Sequence, residues 1–100
     1  MSINDLDVTP CFNGGTLDFT AVSGSSAQFS TTMKAGQIFA FTASTDCWIC
    51  QGANPTAAKS AGSMFVAKGS RQLIDGGEGA KLAVLQDSAG GNASLVEVQP

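Results

Sequence analysis

The residues with most capacity for chemistry in this 100-residue chain are the thiols of Cys47-Trp48-Ile49-Cys50, with a third cysteine at position 11. A C-x-x-C spacing serves redox exchange when its first thiol sits at a helix N-terminus, where the dipole lowers the thiol pKa. No helix can be drawn through this stretch, because short apolar runs rich in aromatic and β-branched residues surround it. In a strand the odd spacing sends the two side chains to opposite faces, and their Cα atoms lie about 10 Å apart. A disulfide needs about 7 Å or less, so the pair reads as two small buried hydrophobes. A structural zinc site wants four Cys or His ligands, and three cysteines with no histidine do not supply them. No metal and no cofactor is expected.

The lack of histidine also removes the commonest general base and any Ser-His or Cys-His nucleophile. Two carboxylate pairs remain, Asp5 with Asp7 and Asp75 with Glu78. Both fall in terminal or Gly-rich stretches and read as solvated turn residues, not as an acid and base held in a cleft. Gly76-Gly77-Glu78-Gly79 is followed by neither G-K-[ST] nor a helix, so it is not a phosphate loop. Trp48 could stack on a sugar, but its mid-strand setting predicts a core position. The expectation is a protein that is not an enzyme.

Charge narrows the partners. The chain carries a net charge of −3, and its basic residues Lys34, Lys59, Lys68, Arg71 and Lys81 are scattered singly, which offers no track for phosphates. Nucleic-acid binding is not expected. No run reaches membrane-spanning length, and the first residues lack the basic and apolar regions of a secretory signal, so cytosolic folding without a membrane is expected. Asn92-Ala93-Ser94 matches a glycosylation sequon but then reads as a turn entering a strand. Charged residues make up 13% of the chain, about half the usual share for a soluble domain. A surface of Ser, Thr, Gly, Ala, Asn and Gln loses less on desolvation than a charged one, which suits a life packed against other proteins.

The elements that carry these residues are short and strand-like. Residues 1–13 hold isolated apolar points, Ile3, Leu6, Val8 and Phe12, before Gly14-Gly15, and read as an N-terminal arm ordered by a partner or laid down as an edge strand. Residues 14–100 form one domain. From Thr16 the pattern alternates, with Leu17, Phe19 and Ala21 facing one way and Thr16, Asp18 and Thr20 the other. Ala27, Phe29, Thr31 and Met33 repeat it. Residues 37–43 and 46–51 read as two buried strands joined by a tight turn at Ser44-Thr45-Asp46. Residues 52–63, rich in small side chains, form a long loop, functional or else a crossover between sheets. Further strands are expected at 64–67, 71–74, 80–87 and 94–99, with Gly90-Gly91 as a hairpin signal before the last.

Eight short strands and no amphipathic helix predict an all-β fold: a two-sheet antiparallel β-sandwich of the jelly-roll kind, with a small β-barrel as the alternative. Phe19, Phe29, Phe39, Phe41, Trp48 and Phe65 are expected to share the inter-sheet core. A chain of this size buries only about 60–65% of its unfolded surface, so a partner could add stability.

Ser44-Thr45-Asp46-Cys47-Trp48-Ile49, then Gly52-Ala53-Asn54-Pro55-Thr56-Ala57, the strand opening Ser63-Met64-Phe65-Val66, and the late Val84-Leu85-Gln86-Asp87-Ser88-Ala89-Gly90-Gly91 resemble the small all-β virion proteins of tailed bacteriophages over residues 37–98. The resemblance implies a capsid decoration or cement protein, located in the virion after assembly in the host cytoplasm. Its implied partner is the major capsid protein, and it would often be a homo-oligomer, with a trimer favoured. Interface positions vary among such proteins, so no site residue carries over by motif. The partner-binding candidates are Ile3, Leu6, Val8 and Phe12 in the arm and Asn54 and Pro55 in the loop. Two rival functions remain: a tail-fibre or spike module recognising host glycans, and a small inhibitor or regulator of a host protein.

Overall fold

A computed structural model describes residues 14–99. The arm residues Ile3, Leu6, Val8 and Phe12, with Cys11, Asp5 and Asp7, lie outside the described residues. Eight strands follow in order: β1 (Leu17–Val22), β2 (Ala27–Gln28), β3 (Ile38–Ala43), β4 (Cys47–Gly52), β5 (Met64–Val66), β6 (Gln72–Asp75), β7 (Lys81–Gln86) and β8 (Gly91–Val98). They form two four-stranded antiparallel sheets, ordered β1-β8-β3-β6 and β2-β7-β4-β5. Two open sheets replace the barrel alternative. No helix occurs among the described residues.

The order has a simple origin. β1 pairs with β8, β2 with β7, β3 with β6 and β4 with β5, so the chain is doubled on itself with its tip between β4 and β5, then rolled into two layers. That is the jelly-roll arrangement. Every connection except the β4–β5 tip passes from one sheet to the other. The expected hairpin of residues 37–43 with 46–51 therefore does not exist: β3 and β4 lie in different sheets, and Ser44-Thr45-Asp46 is an arch between them. The Gly90-Gly91 hairpin fails for the same reason, since β7 and β8 also lie in different sheets. Gly91 is needed for a different purpose. A Cβ there would come within 2.5 Å of Ser44 Oγ, so only glycine lets the start of β8 pass under the β3–β4 arch.

Bonds between arches lock that end of the sandwich. Thr45 Oγ1 donates to the Ala89 carbonyl at 2.8 Å, Ser44 N–H to Asn92 O at 2.9 Å, and Asn92 N–H to Ser44 Oγ at 2.9 Å. Lys68 N–H donates to Asp46 Oδ1 at 2.8 Å, which ties in the β5–β6 arch.

Between the sheets lie Phe29, Phe39, Phe41, Met33, Leu82, Val84 and Leu95, all fully buried. The rings of Phe29 and Phe41 meet edge to face at 6.1 Å. The expected six-aromatic core is only half right. Phe29, Phe39 and Phe41 belong to it, whereas Phe19 is 67% exposed, Phe65 is 45% exposed, and Trp48 is half-buried on the outward side of its sheet. The strand expected through Ala27–Met33 shortens to two residues, yet the chain still reaches β7 through Phe29 N–H to Leu82 O and Met33 N–H to Ala80 O.

β1 departs furthest from expectation. Register places Leu17, Phe19 and Ala21 beside Val96, Ser94 and Asn92 on the outward face, with Asp18, Thr20 and Val22 turned inward. At this edge of the sandwich the inward neighbour is not apolar core but the segment entering β3. There Asp18 Oδ2 accepts from Ser30 Oγ at 3.0 Å, Thr31 N–H at 2.9 Å and Thr31 Oγ1 at 2.7 Å, while Oδ1 accepts the Phe19 N–H at 2.8 Å. Partial burial of the carboxyl acts to raise its pKa. The bonds from Thr31, Ser30 and Phe19 outweigh that and hold it below the ordinary carboxylate value.

A carboxyl whose pKa falls on folding adds stability that is present above the unfolded pKa and lost as pH drops through the folded one. Asp18→Asn is therefore expected to lower Tm at pH 7 by about 4–8 °C, the shift that ~1 kcal/mol produces in a domain of this size. Thermal melts should show the gap from wild type closing below about pH 4. A gap that stays constant from pH 7 to pH 3 would remove the carboxylate from the account.

Candidate functional site

Three surfaces and one cleft hold the residues that could act. The first is the outer face of the β1-β8-β3-β6 sheet. Register brings Leu17, Phe19 and Ala21 of β1, Val96 of β8, Ala40 and Ile38 of β3 and Leu73 of β6 onto one side. Ile38, Ala40 and Val98 form a small buried cluster with Leu73 packed against it. The β1 end of the same face is open, with Leu17 57% and Phe19 67% exposed. Asp75 is the one charged side chain that register puts on this face.

The backbone edge beside that open end is blunted. Glu97 N–H donates to Thr16 O at 2.7 Å, so the alternation of an antiparallel ladder turns the N–H and C=O groups of Leu17, Phe19 and Ala21 away from β8. Two of them are occupied locally: Phe19 N–H by Asp18, and Ala21 C=O by the Thr20 hydroxyl at 3.3 Å. Side chains at the edge thus work against strand-to-strand aggregation, while the apolar face next to it stays available.

The second surface is the outer face of the β2-β7-β4-β5 sheet. Residues 53–63 fold back across it, which removes the crossover alternative, because β4 and β5 are neighbours in one sheet. Gln28 Nε2 donates to Asn54 Oδ1 at 2.8 Å and to Pro55 O at 3.0 Å, and Ala57 N–H donates to Ser26 Oγ at 2.9 Å. Under the loop, outward-facing Ala83 is fully buried; its small side chain leaves room for the covering chain. Of the two loop candidates, Asn54 is exposed and engaged by Gln28, while Pro55 is buried and presents no open surface.

The third surface lies on the same sheet beyond the loop's cover. Phe65, Trp48 and Leu85 sit side by side on three adjacent strands. The Trp48 and Phe65 rings meet at 5.4 Å and 66°. The indole N–H donates to Asp87 Oδ1 at 2.9 Å, and the Lys59 ammonium reaches the Asp87 carbonyl. Trp48 is thus fixed in orientation on the surface, which its strand setting alone did not predict.

The thiols follow the strand geometry. Cys47 is buried and Cys50 is half-buried on the other side of β4, and both are free. Burial, with Asp46 adjacent, pushes the Cys47 thiol up to about 11. Among the described residues no group of three or more His, Cys, Asp or Glu could hold a metal ion. Glu78 accepts the Ala35 N–H at 3.4 Å as a turn residue, and no helix is long and apolar enough to cross a membrane.

The cleft lies at the open side of the sandwich between β5 and β6, about 500 Å³ in volume, with Ile49, Ile74 and Leu82 among its apolar lining and Gln51, Gln72 and Asp75 among its polar residues. The geometry as a whole defines a jelly-roll β-sandwich. A scan against protein-family models and searches of curated proteins and of solved structures return no match.

Because the thiolate is the reactive form, Cys47 should stay unmodified by iodoacetamide at pH 8 in the folded protein and become modified in denaturant. Peptide mapping by mass spectrometry reads this directly. Rapid native labelling at Cys47 would contradict its burial.

Proposed function

We propose that this protein is a non-enzymatic structural docking protein, and specifically a capsid decoration or cement protein. It would bind the major capsid protein on the head of a tailed phage and belong to the virion, with a homo-oligomer, a trimer first, as its assembled form. The observation that carries the reading is the open apolar end of the β1-β8-β3-β6 face, where Leu17 and Phe19 stand exposed on a rigid strand whose edge is blunted. Large apolar side chains fixed in this way are what a protein interface uses as anchors. Low charge supports it, since few charged groups would need desolvation on contact. The jelly-roll framework adds a fold-level analogy, because such sandwiches recur in viral shell domains. Many identical copies on a shell turn weak single contacts into firm attachment by avidity.

Mass spectrometry of purified particles from the source of this sequence should find the chain at a copy number comparable to shell subunits. Phe19→Ser with Leu17→Ser should keep the fold by far-UV circular dichroism and lower particle occupancy about tenfold or more, the effect of losing an aromatic anchor. Absence from particles would end the reading and leave the inhibitor or regulator alternative.

A second reading, a host-glycan module on the tail, is favoured by the surface setting of Trp48 beside Phe65 and Asp87. The single tryptophan makes it testable. Under the docking reading, titration with chitotriose, maltotriose or host lipopolysaccharide leaves Trp48 emission unchanged; a saturable shift in emission would favour the glycan module.

A further inference from the structure

From the β6 edge we infer that the cleft between β5 and β6 is a strand-addition site, which takes an extended partner segment carrying a basic residue immediately before an apolar one. The site lies at the opposite edge of the sheet from Leu17 and Phe19 and stands whether or not the protein coats a shell.

Gly76 N–H donates to Gln37 O at 2.6 Å, so Gly76, Ile74 and Gln72 are the residues of this segment bonded to β3, and Leu73 and Asp75 turn their N–H and C=O groups outward. Both outward carbonyls are held by glutamine side chains: Gln72 Nε2 donates to Leu73 O at 3.1 Å and Gln51 Nε2 to Asp75 O at 2.9 Å. The amides act as removable caps. An incoming strand replaces each with one of its own N–H groups, one hydrogen bond for another, and adds acceptors for the outward N–H groups of Leu73 and Asp75.

The side chains specify the occupant. In an antiparallel added strand, the residue opposite Ile74 points into the cleft toward Ile49, Ile74 and Leu82, which calls for an apolar group; Met64, 44% exposed, lies at the cleft wall. The residue opposite Asp75 shares the outer face with that exposed carboxylate. Asp75 is the only charged side chain among the described residues that line the cleft, and it calls for a cation. Running antiparallel to β6, the partner reads basic then apolar from its N-terminus.

The test uses the full chain and the blocked peptide acetyl-Thr-Lys-Ile-Thr-Val-Thr-amide, with a Glu-for-Lys peptide as control. Amide shifts in 15N-correlated NMR spectra should cluster at residues 63–66 and 72–76. The control peptide, and Asp75→Asn against the first peptide, should each weaken binding threefold or more. Leu73→Pro removes an outward N–H without touching the β3 ladder, a position where an edge strand accepts proline, and should abolish binding while far-UV circular dichroism stays native. Gln72→Ala, which uncaps Leu73 O, should tighten binding. The inference is overturned if the peptide shifts no resonances of β6, if its shifts centre on Leu17 and Phe19, or if folded Leu73→Pro binds as wild type does.

Discussion

Almost no strand in this protein finds its hydrogen-bond partners next to it in sequence. Only β4 and β5 do; β1 waits for β8 and β3 for both β6 and β8, so the backbone is satisfied only when the two halves of the chain are laid together. Each connection must then cross the roughly 10 Å between layers, and the residue types at the crossings follow from that. Thr45 is buried because its hydroxyl holds the opposing arch at Ala89, and Gly91 is glycine because Ser44 occupies the space of a Cβ. The apolar core of Phe29, Phe39, Phe41 and Leu95 fills the space that this doubling encloses.

The same constraint leaves four strand edges to be managed with very few charges. The protein does it with polar side chains turned back onto its own backbone. Asp18 and Thr20 serve β1, and Gln51 and Gln72 serve β6. Such caps restrain accidental pairing without a desolvation cost as large as that of lysines, and they differ in permanence. Asp18 is committed by four bonds at once, whereas a glutamine amide on a single carbonyl can be exchanged for a partner's N–H. A partly blunted edge beside an open apolar face and a glutamine-capped edge beside a mixed apolar and polar cleft are two different kinds of surface on one sandwich.

The two outer faces also divide the work. Residues 53–63 cover part of one sheet, so the buried Ala83 and Pro55 belong to the fold itself. The other sheet keeps its β1 end open. The loop was recognisable as long and small-chained, but its destination depended on Gln28 and Ser26, far earlier in the chain, which nothing in the local composition indicates.

Sequence alone determined where most of the strands lie, though not the length of β2 or the start of β8, because an alternating or short apolar run between Gly-rich breaks has few other ways to bury itself. It also determined that Cys47 and Cys50 point apart, since an odd spacing on a strand allows nothing else. It also carried the two-layer all-β class. Only the tertiary structure decided which face of β1 turns inward: a period of two marks two faces without saying which is core, and Asp18 went in because Ser30 and Thr31 were there to receive it. Only the tertiary structure decided that β3 and β4 separate, that Gly91 serves an arch and not a hairpin, and that Trp48 stands on the surface. Each of those outcomes is set by contacts between residues distant in sequence, and local pattern holds no record of them.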